Sequence, residues 1–204
     1  MAKIFLTRHG QTMWNIEGRL QGHKDSNLTA LGEQQAKWLG NKLKDEKIDI
    51  IISSSSNRTL RTAEFIRGNR NIELIPNDNF REINMGKWQG MLNEDIEKQY
   101  PEEKHNFWHS PHLYKPHGGE TFGEVLTRAS MEIENIIKEY EGKNILVVTH
   151  TVTLKAIITY YEKKELKDLW TGAYMHPTCL NILEVNGNDR RFILQGDISH
   201  YEEN

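Results

Sequence analysis

Three short aliphatic runs constrain this chain more than any other feature: Ile4-Phe5-Leu6-Thr7, Ile50-Ile51-Ile52-Ser53 and Ile145-Leu146-Val147-Val148-Thr149. Each is rich in β-branched residues and continuous rather than alternating. An alternating run leaves one face to water. A continuous run must be covered on both faces, as happens to a strand inside a parallel sheet. A helical pattern follows each run. Thr29 is placed to cap a helix through Leu31, Trp38, Leu39 and Leu43, and Thr121 with Glu124 spells a capping box. That second helix puts Phe122, Val125, Leu126, Ala129, Ile133, Ile136, Ile137 and Tyr140 on one face. The segments 181–185 and 191–194 read as strands around the turn residues Asn186-Gly187-Asn188.

The expected fold is therefore α/β, a three-layer α/β/α sandwich with a mostly parallel central sheet. A chain of 204 residues can bury about 70% of its unfolded surface, enough for one sizeable core. A single domain over 1–204 is expected. One stretch, about 86–119, breaks the rhythm with three prolines and a dense set of aromatics and histidines. It is read as a small helical and loop insertion capping the active-site end of the sheet.

Composition narrows the classes of function. The 29 acidic and 26 basic residues leave a net charge of −3, which argues against a nucleic-acid or acidic-membrane surface. A mean hydropathy of −0.70 and the lack of a long apolar run argue against a membrane span. The start of the chain has no signal-peptide organisation, and the lone Cys179 suits a reducing compartment, so a cytoplasmic location is expected. No phosphate loop, dinucleotide fingerprint or G-x-S-x-G elbow is present. Position 185, six after Cys179, is Val, which excludes a cysteine-phosphatase loop.

What remains lies at the ends of the three runs. The first delivers Arg8 and His9, with Gly10 allowing a tight turn away; the third delivers His150; the second leads through Ser53 into a helix with Arg58 in its first turn. Open parallel sheets bind ligands outside the carboxyl ends of their strands. Two arginines, two histidines and two helix N-termini at that place make an anion site suited to a phosphoryl group. A neutral imidazole in line with phosphorus can act as the nucleophile.

At these residues the chain resembles a known family. Arg8-His9-Gly10 with Asn15, the segment 53–63 (S-S-S-S-N-R-T-L-R-T-A), the segment 81–90 (R-E-I-N-M-G-K-W-Q-G) and Val147-Val148-Thr149-His150 are similar, in order, to the four motifs of the histidine phosphatase, or phosphoglycerate mutase-like, superfamily. The segment 107–114 and the ending 196–200 resemble its broad-specificity bacterial phosphatases. Thr151 stands where most members have Gly, which narrows the space beside His150.

The resemblance implies a metal-independent phosphomonoester hydrolase without a cofactor. In it His9 becomes a phosphohistidine, and Arg8, Arg58 and His150 hold the phosphoryl oxygens. Asn15 and Gln21 line the pocket, with Thr151 beside the phosphate. Glu82 protonates the leaving alkoxide and then activates water. An alcohol leaves poorly, so a general acid worth roughly 10²–10⁴ in rate is needed beside the electrostatic clamp.

Mutases use the same machinery. They carry extra basic residues after the W-x-G block, whereas 91–101 here holds two Glu, one Asp and one Lys. Hydrolysis of a small phosphomonoester is the favoured reading, with phosphoglycerate mutase-type transfer and a non-catalytic phosphate-binding protein as alternatives. Phe107, Trp108 and Tyr114 suggest a partly apolar roof for the leaving group, or else the insertion's own core. His105 and His109, spaced i, i+4, with His112 and His117 leave a metal site open as a minor alternative. Cys179 is assigned no catalytic role.

Overall fold

The continuous runs form the middle of one six-stranded sheet in the computed structural model, which describes residues 2–202. In chain order the elements are β1 (Ala2–Arg8), α1 (Met13–Glu17), α2 (Ala30–Lys42), β2 (Ile50–Ser54), α3 (Asn57–Arg67), β3 (Glu73–Asn77), α4 (Asn93–Gln99), α5 (Pro101–His109), α6 (Phe122–Glu139), β4 (Ile145–Thr149), α7 (Thr151–Tyr161), β5 (Leu180–Asn186) and β6 (Asp189–Asp197). The strand order is β3-β2-β4-β1-β5-β6. Strands β3, β2, β4 and β1 are mutually parallel, and β5 and β6 add an antiparallel hairpin.

Every residue of β2 and β4 is buried, because helices cover both sheet faces. Side chains alternate between the two covers, as the pleat requires. Ile4, Leu6, Ile50, Ile52, Ile145 and Val147 pack under α6 and α7 with Ile133 and Ile157. Phe5, Ile51, Leu146 and Val148 face the other way, onto Leu39, Ala63 and Ile66 of α2 and α3. This is the expected α/β/α sandwich.

Helix starts follow the local chemistry. Thr29 accepts from the Gly32 N–H at the head of α2, and Thr121 and Glu124 form a reciprocal capping box on α6. The apolar stripe of α6 is buried or half-buried throughout. Leu31 departs from expectation. It is 41% exposed, and Gly32, Gln35, Ala36 and Leu39 carry the buried face of α2 instead. Strand β3 was not legible. It carries Pro76 and exposed Glu73, and it is tolerated because it pairs on one side only.

The stretch 86–119 folds as two short helices, α4 and α5, between 3₁₀ turns at Gly86–Trp88 and Pro111–Leu113. Trp88, Ile96, Phe107 and Tyr114 of this stretch form a third apolar cluster with Phe122 and Val125 of α6 and Val152 and Ala156 of α7. It thus sits over the ends of α6 and α7 that face the carboxyl ends of β1 and β4. No helix among the described residues is long and apolar enough to cross a membrane.

Candidate active site

Strands β1 and β4 run side by side in register, with Arg8 opposite Thr149. The His9 N–H donates to the Thr149 carbonyl at 2.9 Å, extending the pairing by one residue. His9 and His150 therefore emerge together, ring centroids 5.3 Å apart and edge to face. The sheet itself sets this pair.

His9 is buried, and its Nδ1 lies 2.7 Å from the Gly10 carbonyl. A carbonyl can only accept, so Nδ1 carries the proton and Nε2 holds the free lone pair. Burial, with Arg58 and then Arg8 nearby, holds the imidazole pKa well below its ordinary value. At neutral pH the ring is uncharged and nucleophilic at Nε2.

Gly10 is demanded by contact rather than by its turn. A Cβ there would overlap the Gly32 carbonyl, and one on Gly32 would overlap the Gln11 carbonyl. The loop behind His9 is thus pressed against the head of α2.

Arg58, the second residue of α3, is 1% exposed. Its Nη1 donates to the Lys24 carbonyl at 2.8 Å and Asp25 Oδ1 at 3.0 Å; its Nη2 donates to the Gly22 carbonyl at 2.8 Å and His150 Nδ1 at 3.0 Å. Arg8 is tied by Nη1 to the Met175 carbonyl at 2.9 Å. In both arginines Nε is buried with no partner in the protein. Such orphaned charged donors are costly unless an acceptor meets them, and a phosphoryl group offers three oxygens.

His150, expected beside the phosphoryl group, has protein partners at both ring nitrogens. Its Nδ1 accepts from Arg58, so Nε2 carries the proton, which it donates to Ser54 Oγ at 2.8 Å. Both ring nitrogens are engaged, the ring is fully buried, and it does not form part of the cleft wall. Its pKa is held well below the ordinary value by burial first and Arg58 second. In this geometry it is a neutral ring bonded to Arg58 on one side and Ser54 on the other.

Two helix N-termini were expected to face an anion, and each is already met by the oxygens of an acidic side chain. Asp25 Oδ1 and Oδ2 accept from the Arg58 and Asn57 N–H groups at the head of α3. Glu82 Oε2 accepts from the Val152 N–H at 3.3 Å, and Oε1 from the Thr153 and Ile83 N–H groups at 3.3 and 3.0 Å. Glu82 is thereby fixed at the head of α7, buried, with its carboxyl on the cleft wall beside His9.

The cleft holds about 500 Å³. Asn15, Gln21, Thr151 and Trp108 lie on its wall. Asn15 Oδ1 accepts from the Thr12 N–H at 3.0 Å, and Gln21 Nε2 donates to Thr12 Oγ1 at 2.9 Å, so Thr12 orders that side. Trp108 stacks on Trp170 at 4.7 Å between centroids and stays 41% exposed at the mouth. Tyr114 is corrected: it does not line the cleft. It fills the third core cluster, 5.5 Å from Trp88 and 5.1 Å from Phe107, because the prolines at 111 and 116 turn it inward. Its hydroxyl is buried without a partner, and burial pushes its pKa up.

Phe107 both packs in the third core cluster and lines the cleft, while the histidines of the stretch 86–119 lie apart from the cleft. His105 and His109 face each other on α5, 4.7 Å between centroids, and His117 packs on Tyr100. No group of three or more His, Cys, Asp or Glu is gathered in metal-holding geometry among the described residues. Cys179 is buried, which pushes its thiol up to about 11. Three residues of the site were missed from sequence: Asp25, Ser54 as the partner of His150, and Lys155 on the cleft wall. Asp25 is one acid in a polar loop, and nothing in its spacing marks it.

Comparison with known proteins agrees with this geometry. The model of the histidine phosphatase superfamily (branch 1) matches residues 4–198. Phosphoserine phosphatase 1 of Hydrogenobacter thermophilus is 36% identical over 84% of this chain and 81% of its own. Phosphoglycerate mutase-like protein 4 of Arabidopsis thaliana is 30% identical over 99% of this chain and 88% of its own. Among solved structures, YhfR of Bacillus stearothermophilus superposes with a TM-score of 0.96 at 40% identity, covering 98% of this chain and 99% of that one.

Proposed function

This chain belongs to the histidine phosphatase superfamily, and on that premise we propose that it hydrolyses small phosphomonoesters through a phosphohistidine at His9. The single observation that carries this reading is the neutral His9, its Nε2 lone pair free, set among two arginines, Arg58 buried and Arg8 half-buried, whose Nε atoms are buried and have no partner in the protein.

The chemistry balances on residues of the site. Nε2 of His9 attacks phosphorus as the phosphorus–oxygen bond to the alcohol breaks, while Nδ1–H stays on the Gly10 carbonyl. The protonated Glu82 carboxyl gives its proton to the departing alkoxide. Glu82, now a carboxylate, takes a proton from water as that water's oxygen attacks the phosphohistidine. Inorganic phosphate forms and the His9 lone pair returns. Arg8 and Arg58 carry the charge on the equatorial oxygens. His150 acts through Arg58, as a positioning residue backed by Ser54.

The stretch 86–119 is read as the cap of a single domain over 1–204, with Trp108 offering an apolar edge to the leaving group. The substrate is read as a small molecule handled without metal or cofactor. The balanced charge supports a protein indifferent to nucleic acid and membranes, and the lone cysteine supports a cytoplasmic setting.

The test is release of phosphate from p-nitrophenyl phosphate and from 3-phosphoglycerate, with His9→Ala as control and a strong chelator present. Phosphate release above the control supports the reading. No release above it overturns the hydrolase, and movement of the phosphate to the 2-position favours a mutase.

A further inference from the structure

Glu82 stands on a piece of chain without regular structure. Residues 81–85 belong to no helix or strand, so no backbone ladder fixes where that carboxyl comes to rest. Side chains do this instead. Thr153 Oγ1 donates to the Arg81 carbonyl at 2.8 Å. Arg128 of α6 reaches across the piece, with Nη1 on the Asn79 carbonyl at 2.8 Å and Nη2 on the Glu82 carbonyl at 3.2 Å.

Arg128 is itself gripped by Glu120, Nε to Oε1 at 2.7 Å and Nη2 to Oε2 at 3.0 Å. Glu120 Oε2 also accepts from the Asn84 N–H at 2.8 Å, and the Glu120 N–H donates to the Asn84 carbonyl at 2.8 Å. Two glycines bring Glu120 there. A Cβ on Gly119 would overlap the Asn84 carbonyl, and Gly118 turns with φ +80°. The two side chains of the pair are 19% and 23% exposed. A forked pair with two bonds fixes direction as well as distance. Glu82 is thus clamped at both ends, its carboxyl by the head of α7 and its carbonyl by Arg128 of α6. Neither Glu120 nor Arg128 lines the cleft, so any part they play is exerted through Glu82.

We propose that Glu120 and Arg128 are positioning residues for the general acid, holding the Glu82 backbone so that its carboxyl meets the leaving oxygen. The inference rests on the hydrolase reading and extends it to two residues outside the cleft. Displacing a reacting group by about 1 Å can cost about 10²-fold in rate. Here that loss falls on the step that needs the proton.

The test compares two esters by kcat/KM, which covers the reaction only as far as loss of the alcohol. p-Nitrophenolate is a stable anion and leaves without a proton, whereas glycerol leaves glycerol 3-phosphate only with one. Arg128→Met and Glu120→Gln should each lower kcat/KM for glycerol 3-phosphate by tenfold or more, and for p-nitrophenyl phosphate by less than threefold. Arg128→Lys should recover part of the loss, and Glu82→Gln marks its full size. Thermal unfolding identifies the variants that remain folded. Equal fractional losses on the two esters in a folded variant, or no loss on either, overturn this inference and leave the hydrolase in place. Failure of all three variants of the pair to fold also overturns it, because the pair would then serve the fold alone. A Glu82→Gln variant that treats the two esters alike overturns it together with the general acid. Failure of the wild type to release phosphate from either ester overturns the hydrolase as well.

Discussion

Arg58 Nη2 donates to Nδ1 of His150 at 3.0 Å, so the second imidazole of the site is bonded to the arginine proposed to hold the phosphoryl group. A guanidinium with five donors and no acceptor can bond only to an unprotonated ring nitrogen, which leaves the ring proton for Ser54. Removing His150 frees Arg58 Nη2 in a buried site. His150→Ala should lower kcat by about 10²–10³, the range for loss of one preorganised transition-state contact. Ser54→Ala, which only loosens the tautomer, should cost less than His150→Ala. Steady-state kinetics of both variants decide it; equal losses, or none, would contradict the arrangement.

Acid should weaken the fold before ordinary carboxylates titrate. His9 and His150 are buried and held well below 6.5, and burial brings His200 down to about 4. Each binds a proton more readily when unfolded, so its stabilising contribution is full above the unfolded pKa near 6.5 and is lost as pH falls below it. The slope is at most about 1.4 kcal/mol per pH unit for each such histidine. Denaturant midpoints at pH 7.5, 6.0 and 5.0 should fall in that order. A flat series would mean that these rings are not kept neutral in the folded state.

Gly10→Ala should disturb both fold and reactivity. The new methyl group meets the Gly32 carbonyl, which is backbone and cannot rotate aside. Overpacking of this kind costs about 1–3 kcal/mol, and relief by moving residue 10 shifts the carbonyl that fixes the His9 tautomer. A lower unfolding temperature together with reduced kcat is expected, and wild-type values for both would refute the close approach.

Tyr114→Phe should be neutral or stabilising. The hydroxyl is buried with no partner, so its removal relieves a desolvation cost of about 1–3 kcal/mol. Calorimetry should show an unchanged or higher unfolding temperature, with kinetics untouched because the ring lies off the cleft. A clear loss of stability would point to a partner for the hydroxyl.

Trp108→Ala should act on the leaving group alone. The indole stacks on Trp170 at the mouth, where an aromatic alcohol would lie against it at about 0.5–1.5 kcal/mol of aromatic contact. The kcat/KM for p-nitrophenyl phosphate should therefore drop several-fold more than that for a small aliphatic ester. Equal effects on both would remove Trp108 from substrate contact.

The parts legible in the sequence are those fixed by local pattern. Continuous aliphatic runs marked β1, β2 and β4 because burial on both faces leaves no polar alternation, and the reactive residues sit at their ends. Thr121 and Glu124 announced α6 through a bond made within four residues. What was hidden depends on partners distant in sequence. Asp25 meets Arg58 across 33 positions, and Ser54 meets His150 across 96. Strand β3 lacks a pattern because an edge strand carries Pro and polar residues without penalty. Lys155 looks like any polar residue on a helix until the loop at 171–175 is seen to cover it.

The sheet order also dictates when such a site can exist during synthesis. Strand β1 lies between β4 and β5, whose residues come from 145–149 and 180–186. Strands β2 and β3, at 50–54 and 73–77, can pair early as a local unit, but β1 has no sheet neighbour until about three-quarters of the chain has left the ribosome. Until then an aliphatic strand waits unpaired, with His9 at its end and nothing beside it. Long-range pairing of this kind is slow and exposes sticky surface. A nascent or truncated chain that stops short of residue 145 would be inert, and it would lean on chaperones rather than on its own fold.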